Sequence, residues 1–272
     1  MKVALFGHTG FIGGNVANVL QERNIPFVGV SRTQPLDKLP TDITTTIICS
    51  SKLPQKTYDA SDIREFVNSN VLGLINILEW AKSRNISRVV YCSTLSMMPK
   101  TKGAVDLIDT KSHYPYKISK AAGEHLLQGY CRDNNIEYVI LRIASVYGPG
   151  MKADVIHTMF QAANSGGAFI LNDRNAEADL VQVDDVALAA VESLTVKPSN
   201  RVINVSSGDP IKLIALWEIV KELVGNQQTT IEIKGESAVS SNVYPANDLT
   251  SLINRPITDL RTGIRDLIKS YR

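Results

Sequence analysis

No stretch of about 18 or more apolar residues occurs in the 272-residue chain, so a membrane-spanning helix is not expected. Met1-Lys2 runs at once into a short apolar run with no small-residue cleavage site behind it, which is unlike a secretion signal. Cysteine is scarce: Cys49, Cys92 and Cys131 are odd in number and widely spaced, which fits neither a disulfide framework nor a metal knuckle. A reducing, cytoplasmic setting with no bound metal is the expectation. A surplus of one charge sign is also missing. Lys and Arg total 29 against 27 Asp and Glu, a net +2 with no single-sign run, so nucleic acid is not the expected partner. Repeats, low-complexity segments and Pro/Gly/Ser-rich linkers do not occur either. What is present is 44% hydrophobic residues in a length near the upper limit for one core, so a large domain with a smaller lobe is expected.

Val3-Ala4-Leu5-Phe6 is a short apolar run that ends at Gly7, too short for a helix, and reads as a strand buried on both faces. Runs of the same kind recur at Phe27–Val30, Thr46–Cys49, Arg88–Cys92, Tyr138–Leu141 and Arg201–Val205. Between them lie helical spacings, clearest at Val67, Val71, Leu74, Ile75 and Leu78, a stripe expected to face the core. Strand alternating with helix predicts an α/β fold, a doubly wound parallel sheet of Rossmann type with right-handed crossovers. Gly148-Pro149-Gly150 marks a turn. Residues 1–150 are therefore read as a dinucleotide-binding domain. Residues 151–272 are read as mixed α/β elements, helices near 153–164, 184–194, 211–223 and 258–270 with strands near 168–171 and 229–233. Some of these return to the sheet and some build a small C-terminal substrate-binding lobe.

The first strand leads into Gly7-His8-Thr9-Gly10-Phe11-Ile12-Gly13-Gly14 and then an amphipathic run. Glycines at 7, 10 and 13 allow a sharp turn, close approach to a pyrophosphate and tight helix packing, with the anion on the helix N-terminus. His8 can either touch phosphate or face solvent. The second strand ends in Ser31-Arg32-Thr33 with no acid until Asp37. Arg32 therefore favours the 2′-phosphate of NADP, although NAD is open and Asp42 can still reach the adenosine. Further on, Ser93-Thr94 closes a strand and Tyr116-Lys117-Ile118-Ser119-Lys120 opens a helix, with Tyr116 and Lys120 at i and i+4 on one face. An adjacent ammonium lowers a tyrosine pKa from about 10 toward neutrality. Tyr116 can then exchange a proton with a substrate oxygen that Ser93 or Thr94 holds. Cys92 reads as a small buried hydrophobe, Trp80 and Trp217 as packing residues, and His113 as a surface or helix-entry residue.

In this order the motifs resemble the extended short-chain dehydrogenase/reductases, the NAD(P)-dependent epimerase/dehydratase group that acts largely on nucleotide sugars. Gly7–Gly13 is similar to its glycine loop, Asn70-Val71-Leu72-Gly73 to its N-V-x-G segment, and Leu141–Pro149 to its L-R-x-x-N-V-Y-G-P. Val183–Ala187 is similar to its V-D-D-V-A and Asn204–Gly208 to its N-V-x-x-G. The resemblance implies Thr94 rather than Ser93 as the hydroxyl on the substrate oxygen, Tyr116 as acid/base and Lys120 on the nicotinamide ribose. The implied cofactor set is Gly7, Thr9, Gly10, Phe11, Ile12, Gly13, Ser31, Arg32, Ser50, Ser51, Asn70, Ser93, Tyr116, Lys120 and Val146. In this family paired helices of the Asn70 type also form a homodimer's four-helix bundle, so a homodimer is implied.

Departures bear on the substrate. Leu95-Ser96 stands where the family's dehydratases carry an Asp-Glu pair, which disfavours dehydration. Ser145 replaces the asparagine of L-R-x-x-N, and Ala178 stands at or near a diphosphate-binding arginine, so either Arg174 substitutes or the substrate lacks a diphosphate. The stretch Arg32–Thr46 is short, as though a strand and helix were trimmed. The leading expectation is an NADP-dependent nucleotide-sugar 4-ketoreductase. A 4-epimerase with retained NAD is the alternative within the class, and a non-catalytic NADP-binding regulator the alternative outside it.

Overall fold

The computed structural model describes residues 1–54, 59–98, 114–151, 155–226, 228–236 and 244–271. Strand β1 (Val3–Phe6) has all four residues buried, as a strand covered on both faces requires. Helix α1 (Phe11–Glu22) buries Gly13, Val16 and Leu20 along one stripe. There follow β2 (Phe27–Val30), β3 (Thr45–Ile48), α2 (Ala60–Phe66), α3 (Gly73–Ser83), β4 (Arg88–Thr94), α4 (Tyr114–Asp133) and β5 (Glu137–Ile143). The later half holds β6 (Ser145–Tyr147), α5 (Val155–Ser165), β7 (Ala168–Leu171), β8 (Glu177–Ala178), β9 (Leu180–Gln182) and α6 (Val183–Glu192). It ends with β10 (Arg201–Val205), β11 (Ile211–Lys212), α7 (Leu213–Val224), β12 (Thr230–Ile233), α8 (Asn247–Ile253) and α9 (Leu260–Tyr271).

Three helices stop by the same local chemistry. Asn24, Asn85 and Asn135 follow α1, α3 and α4 in the left-handed conformation, at φ of 52°, 53° and 56°. Asparagine tolerates that region better than other residues with a Cβ. The next residue then donates its amide back across the turn: Ile25 to Leu20, Ile86 to Ala81 and Ile136 to Cys131, each at 2.8–2.9 Å. Ile86 and Ile136 are buried, which seats the turn and sends the chain into β4 and β5. The pairs Asn-Ile at 24, 85 and 135 are thus repeated helix stops that launch parallel strands.

Among the described residues the main sheet has six strands in the order β2-β1-β3-β4-β5-β10, all parallel. The chain starts at β1, adds β2 on one side, then crosses to the other side of β1 for β3. That reversal opens a crevice at the carboxyl ends of β1 and β3. Between β2 and β3 the chain makes only a single turn of helix at Leu36–Lys38, so β2 is the sheet edge and the trimmed strand and helix are missing. One face is covered by α1, α6 and α8 through Val16, Leu20, Ala190 and Leu249. The other is covered by α3 and α4 through Leu78, Trp80 and Leu127, with Trp80 edge-on to Phe6 at 5.7 Å. A separate core joins α5, α7 and α9 through Met159, Trp217 and Leu267, where Trp217 stacks on Phe169 at 5.3 Å. Helix α6 and strand β10 lie past residue 150 yet belong to the main sheet layers.

The apolar stripe at Val67 corrects the sequence reading. Between α2 and α3 the chain passes through a π-helical turn at Val67–Leu72, which inserts extra backbone and rotates the faces. Val67 and Leu72 are left 44% and 48% exposed, while Asn70 is turned inward at 3%. Only Leu74 and Leu78 of the stripe are buried in the core.

Candidate active site

The glycine loop is shaped by close backbone contacts. Gly7 has φ of +83°, and a Cβ on it would lie 2.7 Å from the Ser50 amide nitrogen, so the turn after β1 presses directly on the end of β3. A Cβ on Gly13 would lie 2.1 Å from the Gly7 carbonyl oxygen, so α1 packs on the loop with no room for a side chain. Gly10 caps α1 without any side-chain hydrogen bond, and the first turn carries no acid. The amides at the start of α1 therefore point their positive end at the crevice without a competing carboxylate. This backbone cradle fits the pyrophosphate of a dinucleotide. The His8 side chain is half-buried: its ring lies 2.6 Å from where a Cβ on Gly29 would fall, and its Nδ1 is buried.

At the adenosine end, Ser31 and Arg32 are exposed just beyond β2, and Arg32 makes no ion pair among the described residues. Asp42 pairs with Lys2 at 3.0 Å, which holds it at the amino end of β1. It cannot reach an adenosine at the carboxyl ends, contrary to expectation. Ser50 is exposed and Ser51 half-buried after β3, with the Ser51 hydroxyl donating to the Lys52 carbonyl at 3.1 Å.

Helix α4 brings the chemistry to the same edge. The Lys120 Nζ is buried, donates to the Cys92 carbonyl at 2.6 Å and stands 4.0 Å from the centre of the Tyr91 ring. Burial lowers the Lys120 pKa, opposed by Tyr116, Cys92, Glu124 and Cys49. Tyr116 corrects the simple picture of a lowered phenol. Its burial outweighs the pull of the Lys120 charge and of a hydrogen bond with Thr94, so its pKa is raised. The Thr94 hydroxyl also donates to Ser96 Oγ at 2.9 Å and accepts from the Ser96 amide at 3.1 Å. Ser93 Oγ is buried with no partner. The structure therefore links Thr94, not Ser93, to Tyr116.

Asn70, expected to touch the cofactor, is buried and hydrogen-bonded to two other segments of the chain. Its Nδ2 donates to the Lys52 carbonyl at 3.2 Å and to Ser119 Oγ at 2.9 Å, while Oδ1 accepts from the Lys52 amide at 2.6 Å. Ser119 in turn donates to the Tyr116 carbonyl at 2.8 Å. Asn70 thus ties the loop after β3 to the turn of α4 that carries Tyr116, and the π-helical turn aims it there. Val146 is half-buried in β6 and packs on the main core.

Sequence reasoning missed several residues that hold this arrangement. Glu124, 1% exposed, pairs with Arg142 at 2.8 Å and lies one turn after Lys120; the spacing Tyr116, Lys120, Glu124 was the available signal. Buried Asp185 of V-D-D-V-A accepts the Thr258 amide at 2.8 Å and pairs with Arg255 at 2.6 Å, anchoring the chain between α8 and α9. Asp179 accepts the Ser207 amide at 2.7 Å and fastens the loop after β10. Ser145 and Arg174 are exposed and Ala178 is half-buried in β8. Cys49 and Cys92, 43 residues apart, meet with their sulfurs 3.5 Å apart. Trp80 and Trp217 are packing residues, and His113 lies outside the described residues.

A glycine-loop crevice at the switch point of a parallel sheet, with a Tyr-x-x-x-Lys helix and a threonine at the end of the fourth strand, defines an enzyme of the short-chain dehydrogenase/reductase type. Residues 3–206 match the NAD dependent epimerase/dehydratase family, and the chain belongs to it. The putative UDP-glucose 4-epimerase of Methanocaldococcus jannaschii is 30% identical over 211 residues, covering 73% of this chain and 68% of that protein. In fold, the chain is similar to the UDP-glucose 4-epimerase of Thermus thermophilus complexed with NAD, with a TM-score of 0.82, 22% identity and coverage of 100% of this chain and 99% of that one. RMD from Pseudomonas aeruginosa complexed with NADPH gives a TM-score of 0.81 at 20% identity, covering 99% of this chain and 98% of that one. No helix among the described residues is long and apolar enough to cross a membrane.

Proposed function

We propose that this enzyme is a nucleotide-sugar 4-epimerase that keeps its NAD bound between turnovers. The carrying observation is the Thr94, Tyr116, Lys120 set at the end of β4, followed by Leu95-Ser96 in place of any carboxylate. One proton-exchanging group serves a reaction in which the same carbon is oxidised and reduced again. The names of the relatives, epimerases of UDP-sugars, favour this reading over the ketoreductase expected from the sequence. The nicotinamide supplies the hydride acceptor and donor. Tyr116 takes the proton of the sugar C4 hydroxyl and returns it, Lys120 favours the phenolate, and Thr94 holds the substrate oxygen by hydrogen bonding. Inversion requires the sugar to present its other face before reduction. The cofactor is read as seated on residues 1–150 and the sugar under the lobe of 151–272, in a cytoplasmic setting.

Incubation with UDP-glucose, or UDP-glucuronate, and no added cofactor is expected to give the C4 epimer. Purified protein is expected to show nicotinamide or adenine absorbance that dialysis does not remove. Protein free of nucleotide that consumes NADPH with a 4-keto sugar would replace this reading with the 4-ketoreductase. Exposed Arg32 with no acid beside it favours that second reading and an NADP preference. Arg32→Ser is expected to lower affinity for NADP about 10-fold and leave NAD unchanged, by titration of each.

A homodimer is also part of the proposal. Ile63, Val67, Val71, Tyr114, Pro115 and Ile118 line an apolar groove along α2 and α4, where Val67, Tyr114 and Ile118 are each more than 40% exposed. Light scattering is expected to give twice the chain mass, and Ile118→Glu the single-chain mass.

A further inference from the structure

Cys49 follows β3 and Cys92 lies in β4, one step past the register pair Ile48 and Tyr91, so the two residues stand side by side on adjacent parallel strands. Such neighbours are spaced about 4.8 Å apart, within the Cα separation that a disulfide spans. Their sulfurs are already 3.5 Å apart and both thiols are free. Cys49 is half-buried at the crevice edge, next to Ser50. We propose that Cys49 and Cys92 form a site of reversible oxidative modification, where hydrogen peroxide joins the two sulfurs into a disulfide under the cofactor crevice. The Cys49 thiol and the Lys120 charge hold the Cys92 thiol below its usual pKa against burial, which gives it thiolate character.

The Cys92 sulfur attacks a peroxide oxygen, the O–O bond breaks, and a sulfenic acid and one water result. The Cys49 sulfur then attacks that sulfenic sulfur, the S–O bond breaks, and a second water leaves. Two thiols and one peroxide become one disulfide and two waters, the sulfurs being oxidised and the peroxide reduced. Cys131 is the internal control, since it is buried in α4 and burial pushes its thiol up to about 12.

The bridge acts on two parts of the site. Gly7 packs against the Cys49–Ser50 peptide, and the Cys92 carbonyl holds the Lys120 ammonium. Closing the sulfurs to about 2 Å draws both strand ends inward. This consequence rests on the crevice being the dinucleotide site, whereas bridge formation does not. Hydrogen peroxide treatment of the whole protein is expected to remove two hydrogens from the intact mass and to reduce its three titratable thiols to one. NADH affinity is expected to fall about 10-fold, with full recovery in dithiothreitol. Cys49→Ser and Cys92→Ser are each expected to form no intramolecular bridge. Persistence of three thiols, oxygen addition without a bridge, or only intermolecular disulfide overturns the modification site. A bridged protein with unchanged NADH affinity overturns its coupling to the crevice while leaving the proposed reaction untouched.

Discussion

Replacing Tyr116 with Phe is expected to lower turnover about 10²–10⁴-fold, the range that a positioned acid/base contributes, with dinucleotide affinity nearly unchanged. The ring still packs edge-on to Phe66, 6.4 Å away, and only the hydroxyl that exchanges the proton is removed. The pH profile supplies a second reading of the same group. Alcohol oxidation needs the phenolate, so the rate rises with pH through the Tyr116 pKa. Burial raises that pKa, while Lys120 and Thr94 pull it down. Lys120→Met removes a downward pull and leaves burial less opposed, so the rising limb is expected to move to higher pH. Full turnover in Tyr116→Phe would refute the assignment. An unmoved limb in Lys120→Met would separate Lys120 from the proton chemistry.

The six strands of the main sheet were legible because each is a short apolar run, buried throughout in β1, β3 and β4, and such runs cannot be read with a helical period. The glycine loop and the Tyr116–Lys120 pair were legible for a related reason: their spacing expresses local geometry. What stayed hidden depends on contacts between distant segments. Asn70 matched a motif, but its clamp on Lys52 and Ser119 arises from a π-helical turn that no period announces. The short pairs β6–β9 and β8–β11 have too few residues to show alternation. Asp42 could not be placed from the sequence, because the distance from β2 does not reveal that the loop turns back to set it on Lys2 at the amino end of β1. Cys49 and Cys92 looked unrelated at a spacing of 43 residues, yet the parallel register sets them side by side. The Asn-Ile helix stops were visible in the sequence and simply more informative than their composition.

A methyl group added at Gly13 is expected to do more damage than any other single methyl in the loop. The new carbon would lie 2.1 Å from the Gly7 carbonyl oxygen and 2.7 Å from its carbon. Both are backbone atoms of a turn whose other side rests on Ser50, so neither a rotamer change nor a small shift relieves the overlap. Helix α1 must move away from β1, which carries its first-turn amides off the pyrophosphate position. Overpacking of this kind costs about 1–3 kcal/mol and occasionally more, about 2–4 °C in melting temperature per kcal/mol for a chain of this size. Gly14 is the matched control. A Cβ there would meet the His8 carbonyl oxygen at 3.6 Å, an ordinary contact, and α1 is regular at that point. Gly14→Ala is therefore expected to stabilise the protein by up to about 1 kcal/mol through helix propensity, whereas Gly13→Ala lowers the melting temperature and abolishes NADH binding. Thermal unfolding and NADH titration of the two variants side by side check the argument. Normal cofactor binding in Gly13→Ala would remove the glycine loop from the cofactor site.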